Sequence, residues 1–295
     1  MKKSEVRFGV AGWQYPDWEG IVYPADKPKG FEPLELMATL LDAVEINSSY
    51  YSPLLSNSGR KWIRVLAPFK NFKFSAKLWQ RFTHEKGDWT GQDALIFQRG
   101  IDPLLNAGLL GCILCQFPWS FRESDDDFAR LEKIAKDFEG FPLVVELRHK
   151  SWQKDSFFKW LEDKGIGFAN IDQPLFHDSM PPGEIVSGKV GYVRLHGRNY
   201  KNWFKKDAET WERYDYLYPQ KELEEWMPRI KKISKDSEQL FVIANNHYRG
   251  KEVANSLMLK FMYTKKRQKA PKSLIKRYAE LKEFCEPVEK QSELF

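Results

Sequence analysis

Eight short apolar runs, each ending in polar or charged residues, constrain this chain more than any other feature of its sequence. They cover residues 6–12, 43–47, 72–77, 111–116, 143–148, 167–172, 190–196 and 239–246, and most of the gaps between them have room for one helix. Buried parallel strands read as nearly continuous apolar runs, and each needs a crossover to return to the same end of the sheet. The pattern therefore predicts an α/β fold, a (β/α)8 TIM-type barrel. Polar groups at the carboxyl end of run after run predict that the working face lies there.

A chain of 295 residues with 42% hydrophobic content can fill one such barrel. The expected organisation is a barrel domain over residues 1–263 and a basic C-terminal extension over 264–295 with one helix. In that extension the basic run 265–269 precedes Pro271, and Leu274, Tyr278, Leu281 and Phe284 share one side of a helix over 273–284. The formal net charge is +6, and from residue 251 onward eleven Lys and Arg face six Glu, so the rest of the chain is nearly balanced. The extension reads as a solvated charge cluster beside a docked helix; a nucleic-acid partner is the alternative. After Lys2 and Lys3 there is no apolar stretch of signal-peptide length, and no apolar run of about 18 residues occurs anywhere. The expectation is a cytoplasmic protein that does not enter a membrane. Three cysteines are too few and too odd in number for a disulfide framework. Cys112 and Cys115 fall on one predicted strand, where a separation of three puts them on opposite faces.

Strand parity selects the barrel interior, because alternate side chains point inward and the others face the helices. It places Glu45 and Asn47 inside, Lys77 with Lys73 and Ser75, Gln116 with Leu114, Glu146 with Val144 and Arg148, Asn170 with Asp172, and Tyr192 with Arg194 and His196. In the last strand Asn245 and Asn246 are both polar, and parity leaves the choice between them open. Three acids, three cations, an imidazole and several amides in one barrel mouth must pair, bind a ligand or reach water. A self-satisfied Glu–Arg network is the bland alternative to a functional site. Aromatic residues follow six of the eight strands, among them Trp13, Tyr15 and Tyr51, and predict a ligand-binding rim. The segment 199–219, rich in Trp and Tyr, reads either as a lid or as a packed loop.

The motifs GVAGWQYPDWEG at 9–20, VEINSSYY at 44–51, FKFSAK at 72–77, LGCILCQFP at 110–118, VELRHKSW at 145–152, IDQP at 171–174, YVRLHGR at 192–198 and NNH at 245–247 occur in this order. Together they make the chain similar to the YecE-like family, domain of unknown function 72, over roughly residues 6–262. Two departures stand out: Trp119 stands where the family often has a second proline, and the tail from about Thr264 lies outside the common pattern. The resemblance implies a TIM-type barrel with a polar pocket at its carboxyl face. The family is described as sugar-isomerase-related and shares its broad barrel group with xylose-isomerase-like enzymes and endonuclease-IV-like nucleases.

The residues and the resemblance lead to an expected enzyme acting on an anionic sugar-like small molecule, of isomerase or lyase type. Glu45, Lys77, Glu146 and His196 are the expected catalytic residues. Trp13, Tyr15, Asn47, Tyr51, Gln116, Arg148, Asp172, Arg194, Asn245 and Asn246 are expected to bind substrate. In this reading Arg148 and Arg194 hold the anion, Glu146 or Glu45 moves a proton, and Lys77 or His196 stabilises developing oxyanion charge. A phosphodiester-hydrolysing nucleic-acid enzyme and a non-catalytic metabolite-binding protein are the alternatives. No organic cofactor is expected; a divalent metal assembled from separate strands is left open, as is the oligomeric state.

Overall fold

The computed structural model of the chain describes residues 4–207 and 209–288; the first lysines and the last seven residues of the extension lie outside them. Eight parallel strands close into a barrel in chain order: β1 (Glu5–Ala11), β2 (Ala43–Ile46), β3 (Lys73–Lys77), β4 (Leu110–Gln116), β5 (Leu143–Glu146), β6 (Gly167–Asp172), β7 (Val190–Leu195) and β8 (Gln239–Ala244), with β8 paired to β1. The expected runs match these strands to within one or two residues at their ends.

Local chemistry explains where the outer helices begin. Thr90 and Asp93 form a reciprocal capping box at the start of Gly91–Asn106. Ser124 caps Asp125–Asp137, whose first turn carries three aspartates against the positive end of the helix. Further helices, Pro33–Leu40, Ser56–Leu66, Asp155–Asp163, Gln220–Asp236 and Lys251–Thr264, cover the other crossovers and the seam between β8 and β1. Between β6 and β7 there is no helix, and residues 173–189 close that side of the barrel as an irregular segment.

Two glycines shape the barrel wall. β3 and β4 shift register between Phe74 and Ser75, opposite Gly111. A side chain at Gly111 would begin 2.2 Å from the Phe241 ring, which fills the barrel bottom. At Gly9 a Cβ would meet the Ala43 carbonyl oxygen at 2.3 Å, so β1 and β2 approach more closely there than any side chain allows.

The extension differs from the single helix expected. The chain turns out of helix Lys272–Arg277 at Tyr278, continues as a 3-10 turn over Ala279–Glu283, and is flanked by strands β9 (Gln268–Pro271) and β10 (Cys285–Val288), which pair in parallel. Leu274, Tyr278, Leu281 and Phe284 are buried as the apolar spacing requires. The pairing of β9 with β10 gives part of the basic run backbone partners that an isolated helix would not have supplied. No helix among the described residues is long and apolar enough to cross a membrane.

Candidate active site

Register fixes which side chains enter the barrel. Ala11, Glu45 and Ser75 lie level with one another, Lys77 with Leu114, Gln116 with Glu146, Tyr192 with Phe241 and Arg194 with Ile243. Side chains at paired positions of parallel strands share a face, so Glu45, Ser75, Lys77, Gln116, Glu146, Tyr192 and Arg194 converge on the axis.

Arg194 is the centre of this array. Its Nε and Nη2 donate to the two oxygens of Glu45 at 3.0 and 2.7 Å, and Nη1 donates to Glu146 Oε2 at 2.9 Å. Tyr192 donates to Glu45 at 2.8 Å and its hydroxyl also meets Ser75 Oγ at 2.9 Å. Glu45, Glu146 and His196 have no accessible surface. Burial alone would raise the Glu146 carboxyl, but Arg194, joined by Arg148, holds it well below the usual carboxylate range. Burial would lower Arg194, and the two glutamates reverse that, so it stays charged. His196 is driven down to about 3, first by burial and then by Arg148 and Arg194 against the pull of Glu146. The imidazole is therefore neutral. Its Nδ1 lies 2.9 Å from Asn245 Nδ2; with the amide oriented so, Nδ1 accepts and Nε2 carries the proton. Nε2 stands 3.2 Å from Glu146 Oε1, close enough for electrostatic contact but off the direction of a hydrogen bond.

Above this layer a cleft of about 300 Å³ opens at the carboxyl ends of the strands, with Lys77, Arg148 and Arg194 among its walls. Arg148 donates from Nε to Glu146 Oε1 at 3.0 Å, and among the described residues its two Nη groups have no hydrogen-bond partner. The Lys77 ammonium lies 4.2 Å from the centre of the Tyr50 ring. Among the described residues it makes neither a hydrogen bond nor an ion pair. Burial, followed by the charge of Arg194, pushes it down to about 7 against the pull of Glu45 and Glu146. Tyr15 stacks on His247 with ring centres 4.7 Å apart, and the Tyr214 ring lies tilted to that histidine at 5.4 Å.

Comparison with known proteins agrees with the motif order. A family model described as "Protein of unknown function DUF72" matches residues 7–278. The chain belongs to the DUF72 family. The match continues past residue 264 and so takes in the helix of the extension, which lies beyond the motif pattern. This DUF72 chain is 25% identical over 264 residues to the UPF0759 protein YunF of Bacillus subtilis (strain 168), covering 85% of this chain and 92% of that one. It is 32% identical to a DUF72 family protein of Thermotoga maritima whose crystal structure superimposes with a TM-score of 0.77, covering 88% of this chain and 98% of that one. A DUF72 family protein of Enterococcus faecalis, 23% identical, shares the fold with a TM-score of 0.76 over 88% of this chain and 95% of its own.

Of the residues singled out in the sequence, Tyr15, Asn47, Tyr51, Lys77 and Gln116 line the cleft, as do Arg148, Arg194 and Asn245. Glu45, Glu146 and His196 form the layer beneath it. Three others lie elsewhere. Trp13 packs edge-on against Trp62 at 5.1 Å, in the layer between barrel and helix. Asn246 points outward, where its amide donates to Tyr216 O at 2.7 Å and to Asn255 at 2.8 Å. Asp172 also points outward: Ile171, not Asp172, is level with Arg194. Its carboxylate is taken up by Arg198 at 2.7 Å, Tyr218 at 2.8 Å and Trp226 at 2.6 Å. Asn170 points outward as well and pairs with both backbone groups of Ile185 in the irregular segment. Lys73 belongs to the interior face, but at the opposite end of the barrel from the cleft, bonded to Gly108 O.

The cleft walls also include Tyr50, Tyr214 and His247. The neighbourhoods of all three were visible as an aromatic pair after β2, the aromatic segment after β7 and the NNH motif. Only the fold shows that the side chains turn into the mouth. The segment 199–219 is partly packed and partly open: Trp203 and Tyr218 are buried, whereas Phe204 is half exposed. Asn199 ties it together by donating to Glu212 O and Asp215 O at 2.8 and 3.2 Å. Cys112 and Cys115 are buried free thiols on opposite faces of β4. No group of three or more His, Cys, Asp or Glu among the described residues is placed to hold a metal ion. In the mouth itself Glu45 and Glu146 are engaged by arginines, and His196 Nδ1 by Asn245, so these donors do not fit a metal centre.

Proposed function

We propose that the barrel mouth is the active site of an enzyme acting on a compact, anionic, sugar-like molecule by proton transfer, of isomerase or lyase type. The observation that carries this reading is the place of Lys77, on the cleft wall over the Tyr50 ring and without an ion-pair partner among the described residues; burial and then Arg194 push its amine down to about 7. A group that titrates near neutrality is suited to take and return protons there. The reading moves the expected proton carrier from Glu146 or Glu45 to Lys77, because both glutamates are buried and held by Arg194, and Glu146 is far too acidic to serve as a base.

Three cations face two glutamates in this mouth, an excess of one positive charge when Lys77 is protonated. The unpaired Nη groups of Arg148 suit a carboxylate or phosphate. Tyr50, Tyr214 and the Tyr15–His247 stack offer ring faces to the C–H surface of a polyol. The volume suits one small molecule. A phosphodiesterase reading has less support, since the histidines and carboxylates that a multi-metal centre requires are committed to other partners.

The test is to incubate the protein in D2O with a panel of sugar phosphates and sugar acids and to follow loss of C–H signals by NMR. We expect exchange with at least one member, lost in Lys77→Met and weakened in Arg148→Gln while both variants unfold cooperatively. If no member exchanges and none raises the unfolding temperature through Arg148, the reading fails.

A further inference from the structure

Granted that the mouth takes a small anionic ligand, we propose that Lys77 is a covalent group, forming an imine with the carbonyl of an aldehyde or ketone whose carboxylate or phosphate is held by Arg148. The buried or half-buried arginines of the barrel interior each rest on an acceptor: Arg194 on Glu45 and Glu146, Arg148 on Glu146, and Arg7 on Asn71 O and Gln239. The two interior carboxylates are already balanced by Arg194 and Arg148, so they do not need a lysine. Lys77 lies over a phenol ring instead, with its amine lining the cleft.

The backbone beneath it is fixed. Ser49 Oγ donates to Lys77 O at 2.7 Å, and the Leu78 amide donates to Leu114 O at 2.9 Å. The amine is thus presented from the rigid end of β3, not from a loop. The groups acting on it are Arg194, Glu45, Glu146 and Arg148 from the barrel, and His84 and Tyr50 from the loops after β3 and β2. His84 is itself kept neutral, at about 4, by burial and then by Lys77 and Arg148, so it adds no second positive charge beside the amine. At pH 7 an amine with a pKa near 7 is about half unprotonated, against roughly one part in three thousand for an ordinary lysine.

The step balances without a further reactant. The Nζ lone pair attacks the carbonyl carbon, and the carbonyl oxygen takes up a proton as the nitrogen gives one up. The resulting hydroxyl then leaves as water, so that amine and carbonyl become imine and water with no change of oxidation state. The imine draws electrons from the adjacent carbon, which makes its C–H acidic. This is how a lysine would promote the proton transfer proposed above.

The experiment uses the full chain at pH 7 with glyoxylate, an aldehyde bearing a carboxylate, and sodium cyanoborohydride to reduce any imine to a stable secondary amine. Peptide mapping by mass spectrometry then gives the rate at each lysine and separates the amino terminus, whose ordinary pKa is also near 8. We expect Lys77 to be modified at least about tenfold faster than any other lysine. Its rate should reach half its maximum near pH 7. Glycolaldehyde, which lacks the anion, should react at least about tenfold more slowly, and Arg148→Gln should abolish that preference. Even labelling across the lysines, with Lys77 no faster, overturns the proposal. In that event an Arg148-dependent rise in unfolding temperature with glyoxylate would leave the anion site standing, and no rise would remove both.

Discussion

Arg194 and Lys77 share one barrel mouth yet face opposite energetics. Arg194 is desolvated but spends its donors on two carboxylates, so replacing it leaves both of these buried and uncompensated. Arg194→Met should cost about 3–5 kcal/mol of stability, and a urea denaturation midpoint close to that of the parent would contradict the pairing described. Loss of activity in that variant would say little about binding, which is why Arg148, which lines the cleft and whose Nη groups have no hydrogen-bond partner among the described residues, is the better probe. Lys77 lines the cleft over the Tyr50 ring and, among the described residues, has no ion-pair partner. Its folded-state pKa of about 7 lies below the ordinary value of 10.5, so between these limits the unfolded chain holds a proton that the native state has released. Its contribution to stability therefore rises with pH across that window, and the full cost of burying the ammonium is present below pH 7. Lys77→Met should be more stable than the parent at pH 6, with the difference shrinking towards pH 10. Paired urea titrations at the two pH values measure this, and a less stable variant at pH 6 would mean that the ammonium is stabilised by its surroundings after all.

At the scale of elements, the wall between β3 and β4 gives a separate prediction. A Cβ on Gly111 would begin inside the Phe241 ring contact at 2.2 Å. Gly111→Ala should lose about 1–3 kcal/mol by overpacking. Phe241→Leu shortens the intruding side chain, and the double variant should recover part of that loss; strictly additive effects would show that the two sites do not touch. The same barrel shows why some of the site was legible in the sequence and some was not. Parity succeeded on β2, β3, β4, β5 and β7, because in those strands the outward side chains are apolar and meet a covering layer. It failed on β6, where Phe168, Ala169 and Ile171 are apolar on both parities. There Asn170 finds Ile185 in the irregular segment and Asp172 finds Trp226 on helix Gln220–Asp236, so both polar side chains face outward. Trp13 was placed on the rim only by its position after β1, and nothing in a linear sequence distinguishes an aromatic that turns towards a ligand from one that turns towards Trp62. His247 shows the converse: its position after two asparagines was visible, but its place in the cleft wall depends on stacking with Tyr15 from the opposite end of the chain.

Across the whole molecule, the extension is joined to the mouth through the loops after β1 and β8. Ser273 Oγ donates to Ile21 O at 2.7 Å, and Tyr278 donates to Arg249 O at 2.7 Å. Arg249 adopts a left-handed backbone conformation with φ of 55°, uncommon for a residue with a side chain, and Gly250 follows with φ of 77°. The neighbouring His247 is the ring on which Tyr15 stacks, and its carbonyl accepts from Trp18 at 2.8 Å. The extension therefore braces a strained turn that presents a cleft wall. Arg267 in the basic run is itself spent on carbonyls of Lys282 and Cys285 inside the extension. Ending the chain after Thr264 removes the packing of Leu274, Leu281 and Phe284, each of which is buried. It should lower the unfolding temperature by several degrees, as loss of even 1–2 kcal/mol would in a chain of this size. It should also loosen residues 247–250. If that loop carries part of the ligand site, sulfate, a simple probe for the Arg148 and Lys77 pocket, should stabilise the shortened chain less than the parent. Equal stabilisation of both by sulfate, with the expected fall in unfolding temperature, would confine the extension to a structural role and separate the turn from the chemistry of the mouth.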